Sequence, residues 1–318
     1  MIRVLIQGAG AVGSYLGARL ALAGAEVAFV ARGQHLEAMR REGLRLVGPR
    51  GDALLEQPLA FASVRELPWV PEVCFLAVKT YDVAAAAADL TEAVAGGAVV
   101  VTLQNGVAGA SPVLEALPEA QRATARVVAG LASVSAVIAA PGLIRYTSDM
   151  SSITAAPFPG GGDVEARLRA AMEAAGMPLR TAPDIRHALW RKFLSLATNA
   201  ALTSLARAPA GSLYHDPDSI TLTRRAIAEV GRVARAEGVA ITAEEEEAAL
   251  AQLRSFPADM YASMYHDVAA GKRLEVAWLS GTVARLAARH GIDAPVHTTA
   301  WICLRPHADP SASASRSN

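Results

Sequence analysis

Two groups of residues in this chain have types and spacing suited to chemistry. The first is Gly8-Ala9-Gly10-Ala11-Val12-Gly13, three glycines at GxGxxG spacing, directly after an apolar run and opening a helix-like one. Gly8 permits a tight turn, Gly10 lets backbone approach a pyrophosphate, Gly13 allows close packing, and the N-terminus of the helix that follows attracts the anion. A dinucleotide is the expected ligand. At the end of the next strand an Asp or Glu would bind an adenosine 2′-hydroxyl, but this chain has Arg32. A guanidinium suits a 2′-phosphate, with Lys79 after a later strand as a second cation, so NADPH is expected rather than NADH.

The second group is marked by scarcity: of 30 basic residues only Lys79, Lys192 and Lys272 are lysines. Lysine can give up its proton in a protein and arginine cannot, which singles out a lysine kept against this bias. Lys192 lies in Trp190-Arg-Lys-Phe-Leu-Ser-Leu-Ala-Thr-Asn199, and helical spacing places Leu196, Asn199 and Thr203 on its stripe, Asn199 and Thr203 positioned to line a cleft. In carbonyl reduction a nicotinamide supplies hydride, while the protein stabilises the charge growing on oxygen and delivers a proton; a protonated lysine does both.

Glu275 precedes Leu279, Val283 and Leu286 and is expected to begin the buried face of the last helix, where the helix dipole favours a carboxylate. Ser263 and Asp267, four apart, share a helical face. Asn105-Gly106 follows a strand at the edge where parallel sheets place ligand contacts, although Asn-Gly is also an ordinary turn pair. No metal site is expected: the seven histidines form no HxH or HxxxH set, and Cys74 and Cys303 are too few for a disulfide framework or a cysteine cage. No GxSxG nucleophile motif occurs.

These residues need elements to position them. Ile2 to Gln7 reads as a strand, Ala11 to Leu22 as a helix and Glu26 to Ala31 as a strand, a βαβ unit. Val73 to Val78 and Ala98 to Leu103 read as buried parallel strands joined by a crossover helix over Val83 to Val94. Alternation of strand and helix is expected to about Pro157, then a helix over Val164 to Ala175 and a last strand over Pro178 to Thr181. From Asp184 the periodicity is helical: Asp184 to Leu205, Pro217 to Gly238, Ala243 to Leu253, Ala258 to Ala270 and Arg273 to His290. Thr242 and Glu245 form a capping box, which explains the run of glutamates there without a function.

The fold class is therefore α/β, an N-terminal Rossmann-type parallel-sheet domain over 1–182 followed by an all-helical substrate domain over 183–307, with a polar disordered tail over 308–318. Apolar residues make up 52% of the chain, enough for two cores, and the formal net charge of +0 argues against nucleic-acid or polybasic membrane partners. No signal peptide or membrane span is read, so a cytoplasmic location is expected.

The motifs GAGAVG, VKTYD around Lys79, QNG at 104–106, WRKF around Lys192, and SMYHD through GKRLE at 263–275 run in order along nearly the whole chain, and together they resemble the ketopantoate reductase family. The resemblance implies a reductase of a small 2-oxo acid in pantothenate biosynthesis. Lys192 would be the proton donor, Asn105 and Glu275 would help place nicotinamide and substrate, Ser263 would contact substrate, and Arg32 and Lys79 would bind the NADPH phosphates. It also implies closure of a cleft, and leaves a homodimer open.

The departures bear on substrate. Where pantoate-forming members carry asparagines, this chain has Leu196, Ala200, Ala210 and Met260, which predicts a more apolar pocket; Asn199 is one residue out of that register. Three readings stand: reduction of 2-dehydropantoate to pantoate, reduction of another 2-oxo acid or a bulkier carbonyl compound by the same lysine chemistry, and a non-catalytic NADPH-binding sensor. The retained Lys192 and Glu275 argue against the sensor.

Overall fold

A computed structural model describes residues 1–147, 151–160 and 162–309. The chain divides into two compact units: Met1–Gln104 with Ala108–Ile185, and Asn105–Val107 with the residues from Arg186 onward.

In the first unit, strand β1 (Arg3–Gln7), helix α1 (Ala11–Leu22) and strand β2 (Glu26–Val30) are followed by α2 (Gly33–Glu42), β3 (Leu44–Val47), β4 (Ala53–Leu55), β5 (Leu59–Phe61) and β6 (Val73–Leu76). Next come α3 (Val83–Asp89), α4 (Thr91–Ala95), β7 (Val99–Thr102), α5 (Ser111–Ala116) and α6 (Glu119–Arg122). Then β8 (Arg126–Ser133), β9 (Ala136–Ala140), β10 (Leu143–Tyr146), β11 (Ser152–Ala155), α7 (Asp163–Ala174) and β12 (Leu179–Thr181) complete the unit. Eight strands form one sheet in the order β12-β11-β8-β7-β6-β1-β2-β5. From β8 to β5 every pairing is parallel, and only β11 runs antiparallel to its neighbour β8.

The central strands are apolar without alternation because both faces are covered. Val4, Ile6, Phe29, Phe75 and Val101 pack on one face with Leu16 and Leu20 of α1 and Leu168 and Met172 of α7. Leu5, Ala28, Cys74 and Val100 pack on the other with Val83, Ala86 and Leu90. Register aligns the strand ends, since Gln7 sits opposite both Val30 and Leu76, and Leu76 opposite Thr102. The segments after β1, β2 and β6 therefore leave one edge of the sheet, where open parallel sheets bind ligands.

Strict alternation of strand and helix to Pro157 is not what forms. β3, β4, β9 and β10 make a separate four-stranded sheet in the order β4-β3-β10-β9. These strands are short, and the last four residues of β9 are exposed, so their sequence carries little of the burial pattern that announces a strand. The expected crossover helix is also broken, into α3 and α4 at Leu90.

The second unit is helical: α8 (Ile185–Ala206), α9 (Ala210–Tyr214), α10 (Pro217–Ala236), α11 (Ala243–Arg254), α12 (Ser263–Ala269), α13 (Ser280–Arg289) and α14 (Pro295–Leu304). Its core joins Phe193, Leu194 and Ala197 of α8 to Ile227 and Val230 of α10, Leu250 of α11 and Val283 of α13. The capping box at Thr242 and Glu245 forms as expected.

Two helices expected here are shorter than their periodicity suggests. Residues 258–262 are not helical, because Ala210 and Gly211 of α9 donate their N–H groups to the carbonyls of Met260 and Ala258. Residues 273–279 form an irregular stretch and turn, with the Glu275 carbonyl accepting from the N–H groups of Trp278 and Leu279 before α13 begins at Ser280. Glu275 therefore does not open a helix, and the dipole invoked for it does not act. The chain continues into α14, an element not foreseen; buried Glu229 of α10 accepts the Val296 and His297 N–H groups of its first turn. Of the tail expected over 308–318, Ala308 accepts a hydrogen bond from the Leu274 N–H, and 310–318 lie outside the described residues. Among the described residues no helix is long and apolar enough to cross a membrane.

Candidate active site

The glycine loop of the first unit has a distinct geometric reason for each glycine. Gly8 has φ +99°, and a Cβ there would lie 2.5 Å from Val78 Cγ1 and 2.7 Å from the Val78 nitrogen. A Cβ on Gly13 would lie 2.3 Å from the Gly8 carbonyl oxygen, so turn and helix touch directly. A Cβ on Gly10 would meet nothing within 4 Å. Gly10 is also the N-cap of α1, and no side chain caps that end. Among Gly8, Ala9, Gly10, Ala11, Val12 and Gly13, the open space thus lies over uncapped N–H groups, a cradle that fits an anionic group such as a pyrophosphate.

Arg32 is exposed at the N-cap of α2, immediately beyond β2, and Lys79 is half-buried just beyond β6. Both stand where the strand order placed them, on segments leaving the same edge of the sheet as the glycine loop. Among the described residues no three metal-ligating side chains converge.

In the second unit the structure brings together three residues from distant parts of the sequence. Lys192 Nζ donates to Asn105 Oδ1 at 3.4 Å. Buried Glu275, 5% exposed, acts electrostatically on the same ammonium. Gly106, with φ +116°, packs its backbone near the Trp278 carbonyl, so the Asn105 segment lies beside the Glu275 turn. Burial pulls the Lys192 ammonium down to about 8, and the Glu275 charge acts in the opposite sense. A partly desolvated ammonium held charged by a carboxylate can donate a proton near neutral pH.

The rest of the Lys192 stripe is occupied differently. Leu196 packs against the helical core. Asn199 Oδ1 accepts a 2.7 Å hydrogen bond from the hydroxyl of buried Tyr214, and the Thr203 hydroxyl donates to the Asn199 carbonyl while accepting from the Ala262 N–H. Ser263 is exposed as the first residue of α12, with Asp267 one turn later. Of the positions that suggested an apolar pocket, Ala200 and Ala210 are buried and Leu196 and Met260 are half-buried against the core. Tyr214 was not a candidate from the sequence, and no local signal marks it; only the packing of α9 on α8 shows its role.

Comparison with known proteins agrees over nearly the whole chain. Residues 4–160 match the family described as ketopantoate reductase PanE/ApbA, and residues 184–308 match its C-terminal counterpart. A 2-dehydropantoate 2-reductase from Halobacterium salinarum is 34% identical over 306 residues, covering 94% of this chain and 96% of that one. The crystal structure of a PanE/ApbA family ketopantoate reductase from Ralstonia eutropha superposes with a TM-score of 0.86 at 31% identity, covering 96% of this chain and 98% of the other. A D-mandelate dehydrogenase, solved with NADH and anilino(oxo)acetate, has a TM-score of 0.84 at 18% identity, covering 96% and 98%, and shares the fold.

Proposed function

The chain belongs to the ketopantoate reductase family, NAD(P)-dependent oxidoreductases acting on the CH–OH/C=O pair, and from that premise we propose that it reduces 2-dehydropantoate to pantoate with NADPH, Lys192 acting as general acid, in the cytoplasmic synthesis of pantothenate. The observation that carries this reading is the convergence of Lys192, Asn105 and Glu275 within the helical unit.

The reduced nicotinamide, when bound, supplies the hydride. The Lys192 ammonium hydrogen-bonds the carbonyl oxygen, stabilises the negative charge that develops there and transfers its proton to it. Asn105 holds the ammonium in place through its Oδ1 and leaves its amide N–H groups for ligand contacts. Glu275 keeps the lysine charged against the cost of burial. The glycine loop from Gly8 to Gly13 would hold the pyrophosphate, Arg32 and Lys79 the 2′-phosphate, and Ser263 the substrate.

A second reading, reduction of another 2-oxo acid or a bulkier carbonyl compound by the same lysine chemistry, is supported by Leu196, Ala200, Ala210 and Met260: they supply no amide groups where pantoate-forming members carry asparagines, which weakens recognition of a hydroxylated acid. A panel of 2-oxo acids assayed with NADPH and NADH separates the readings. Highest kcat/KM on 2-dehydropantoate with NADPH is expected; another 2-oxo acid or a bulkier carbonyl compound at least tenfold better would shift the assignment to the second reading. Binding of NADPH without turnover of any member would refute both.

A further inference from the structure

A chain of side-chain hydrogen bonds in the first unit touches none of the residues assigned above to the cofactor phosphates by side chain, yet ties their supports together. The hydroxyl of Ser14, fully buried in the first turns of α1, donates to the Ala9 carbonyl at 3.0 Å. The same oxygen lies 3.1 Å from Nε2 of His35, in the first turn of α2. The Gly142 N–H, in the turn between β9 and β10, donates to His35 Nδ1 at 3.0 Å. A backbone N–H can only donate, so Nδ1 must be the bare lone pair and Nε2 must carry the proton. The direction of the whole chain follows: Gly142 to His35, His35 to Ser14, Ser14 to the Ala9 carbonyl inside the glycine loop. Burial holds the imidazole below its ordinary range, which favours this neutral form.

Ala9 also donates its N–H to the Val30 carbonyl at the end of β2, two residues before Arg32. The glycine loop and the Arg32 segment are thus fastened at two points, once by backbone and once by the imidazole three residues after Arg32. We propose that His35 is a positioning residue for cofactor selection: by setting the spacing between the glycine loop and Arg32, it lets one ligand engage both a pyrophosphate cradle and a 2′-phosphate cation. The inference rests on the reading that Arg32 takes the 2′-phosphate. NADH lacks that phosphate and needs only the loop, so loss of the fastening costs NADPH more.

The test is equilibrium binding of NADPH and of NADH to the protein without carbonyl substrate, in His35→Ala, Ser14→Ala, the double variant and Arg32→Ala. His35→Ala is expected to weaken NADPH about tenfold and NADH less than threefold, with Ser14→Ala acting in the same sense. The double variant is expected to be no worse than the stronger single one, because both break one chain. In the protein without cofactor, 15N NMR should show His35 Nδ1 as the unprotonated nitrogen. A selectivity ratio within twofold of the unmodified protein in both single variants, while Arg32→Ala lowers it, overturns the inference and leaves the Arg32 reading intact. If Arg32→Ala leaves the ratio unchanged, that reading fails and takes the inference with it. A protonated Nδ1 also overturns it, and Ser14→Ala carries the binding test if His35→Ala does not fold.

Discussion

The glycine loop and the Lys192 cluster are two different ways to build a site. The loop spans six consecutive residues and presents backbone N–H groups, so its chemistry comes from geometry that glycine alone tolerates. The cluster draws Asn105, Lys192 and Glu275 from positions up to 170 residues apart and presents side chains whose charge depends on burial and on one another. A backbone site fails through volume. A side-chain site fails through loss of one functional group, and substitutions at each should show that contrast.

The largest effect is expected at the cluster. Lys192→Met, close in length but without a proton to give, should lower kcat about 1,000-fold, as loss of a general acid does, while NADPH binding measured by fluorescence changes little. Undiminished turnover would remove the lysine from the mechanism. At the loop, Gly10→Ala adds one methyl into open space, so the melting temperature should hold. NADPH affinity should fall roughly 100-fold, because charge-assisted hydrogen bonds from the backbone are worth roughly 1.5–3 kcal/mol each. Gly13→Ala, which meets the Gly8 carbonyl at 2.3 Å, should instead destabilise the fold itself by about 1–3 kcal/mol. If both glycine variants only lower stability, the loop is structural and the contrast dissolves.

The pH profile comes next in size. In the proposed mechanism Lys192 donates from its protonated form, and burial pulls that ammonium down to about 8. kcat/KM for reduction should therefore be level with respect to this group below that pH and decline about tenfold per unit above it. Glu275→Gln, which removes the charge that favours the ammonium, should move the decline to lower pH; no movement would separate Glu275 from the lysine. The smallest effect concerns the supporting bond to Asn199. Tyr214→Phe leaves the Asn199 Oδ1, 92% shielded with its residue, without its phenolic donor and should cost about 1–2 kcal/mol in denaturant unfolding.

The same contrast governs what was legible in the amino-acid sequence. The β1-α1-β2 unit is read to within a residue at each end, because strand, glycine turn and helix are contiguous and each carries its own period. The capping box at Thr242 is likewise local, completed within four residues. The four-stranded sheet is not legible in the sequence because the last four residues of β9 are apolar yet exposed, which breaks the rule linking apolar residues to burial. Glu275, Leu279 and Val283 keep helical spacing across 273–279, so periodicity predicts a helix there, whereas in the structure Gly271 has φ +60° and the Leu274 N–H donates to the Ala308 carbonyl.

From the sequence alone came the parallel-sheet and helical halves, the glycine turn that opens α1 and the unusual standing of Lys192, all properties of residue type and short-range spacing. Only the tertiary structure decided that Asn105 groups with the helical unit and reaches the lysine, that Glu275 acts from a turn, and that Tyr214 and His35 hydrogen-bond groups distant in sequence. The physical reason is that helix, strand and turn preferences act over a few residues, whereas desolvation and side-chain hydrogen bonding depend on distances that the folded chain alone sets.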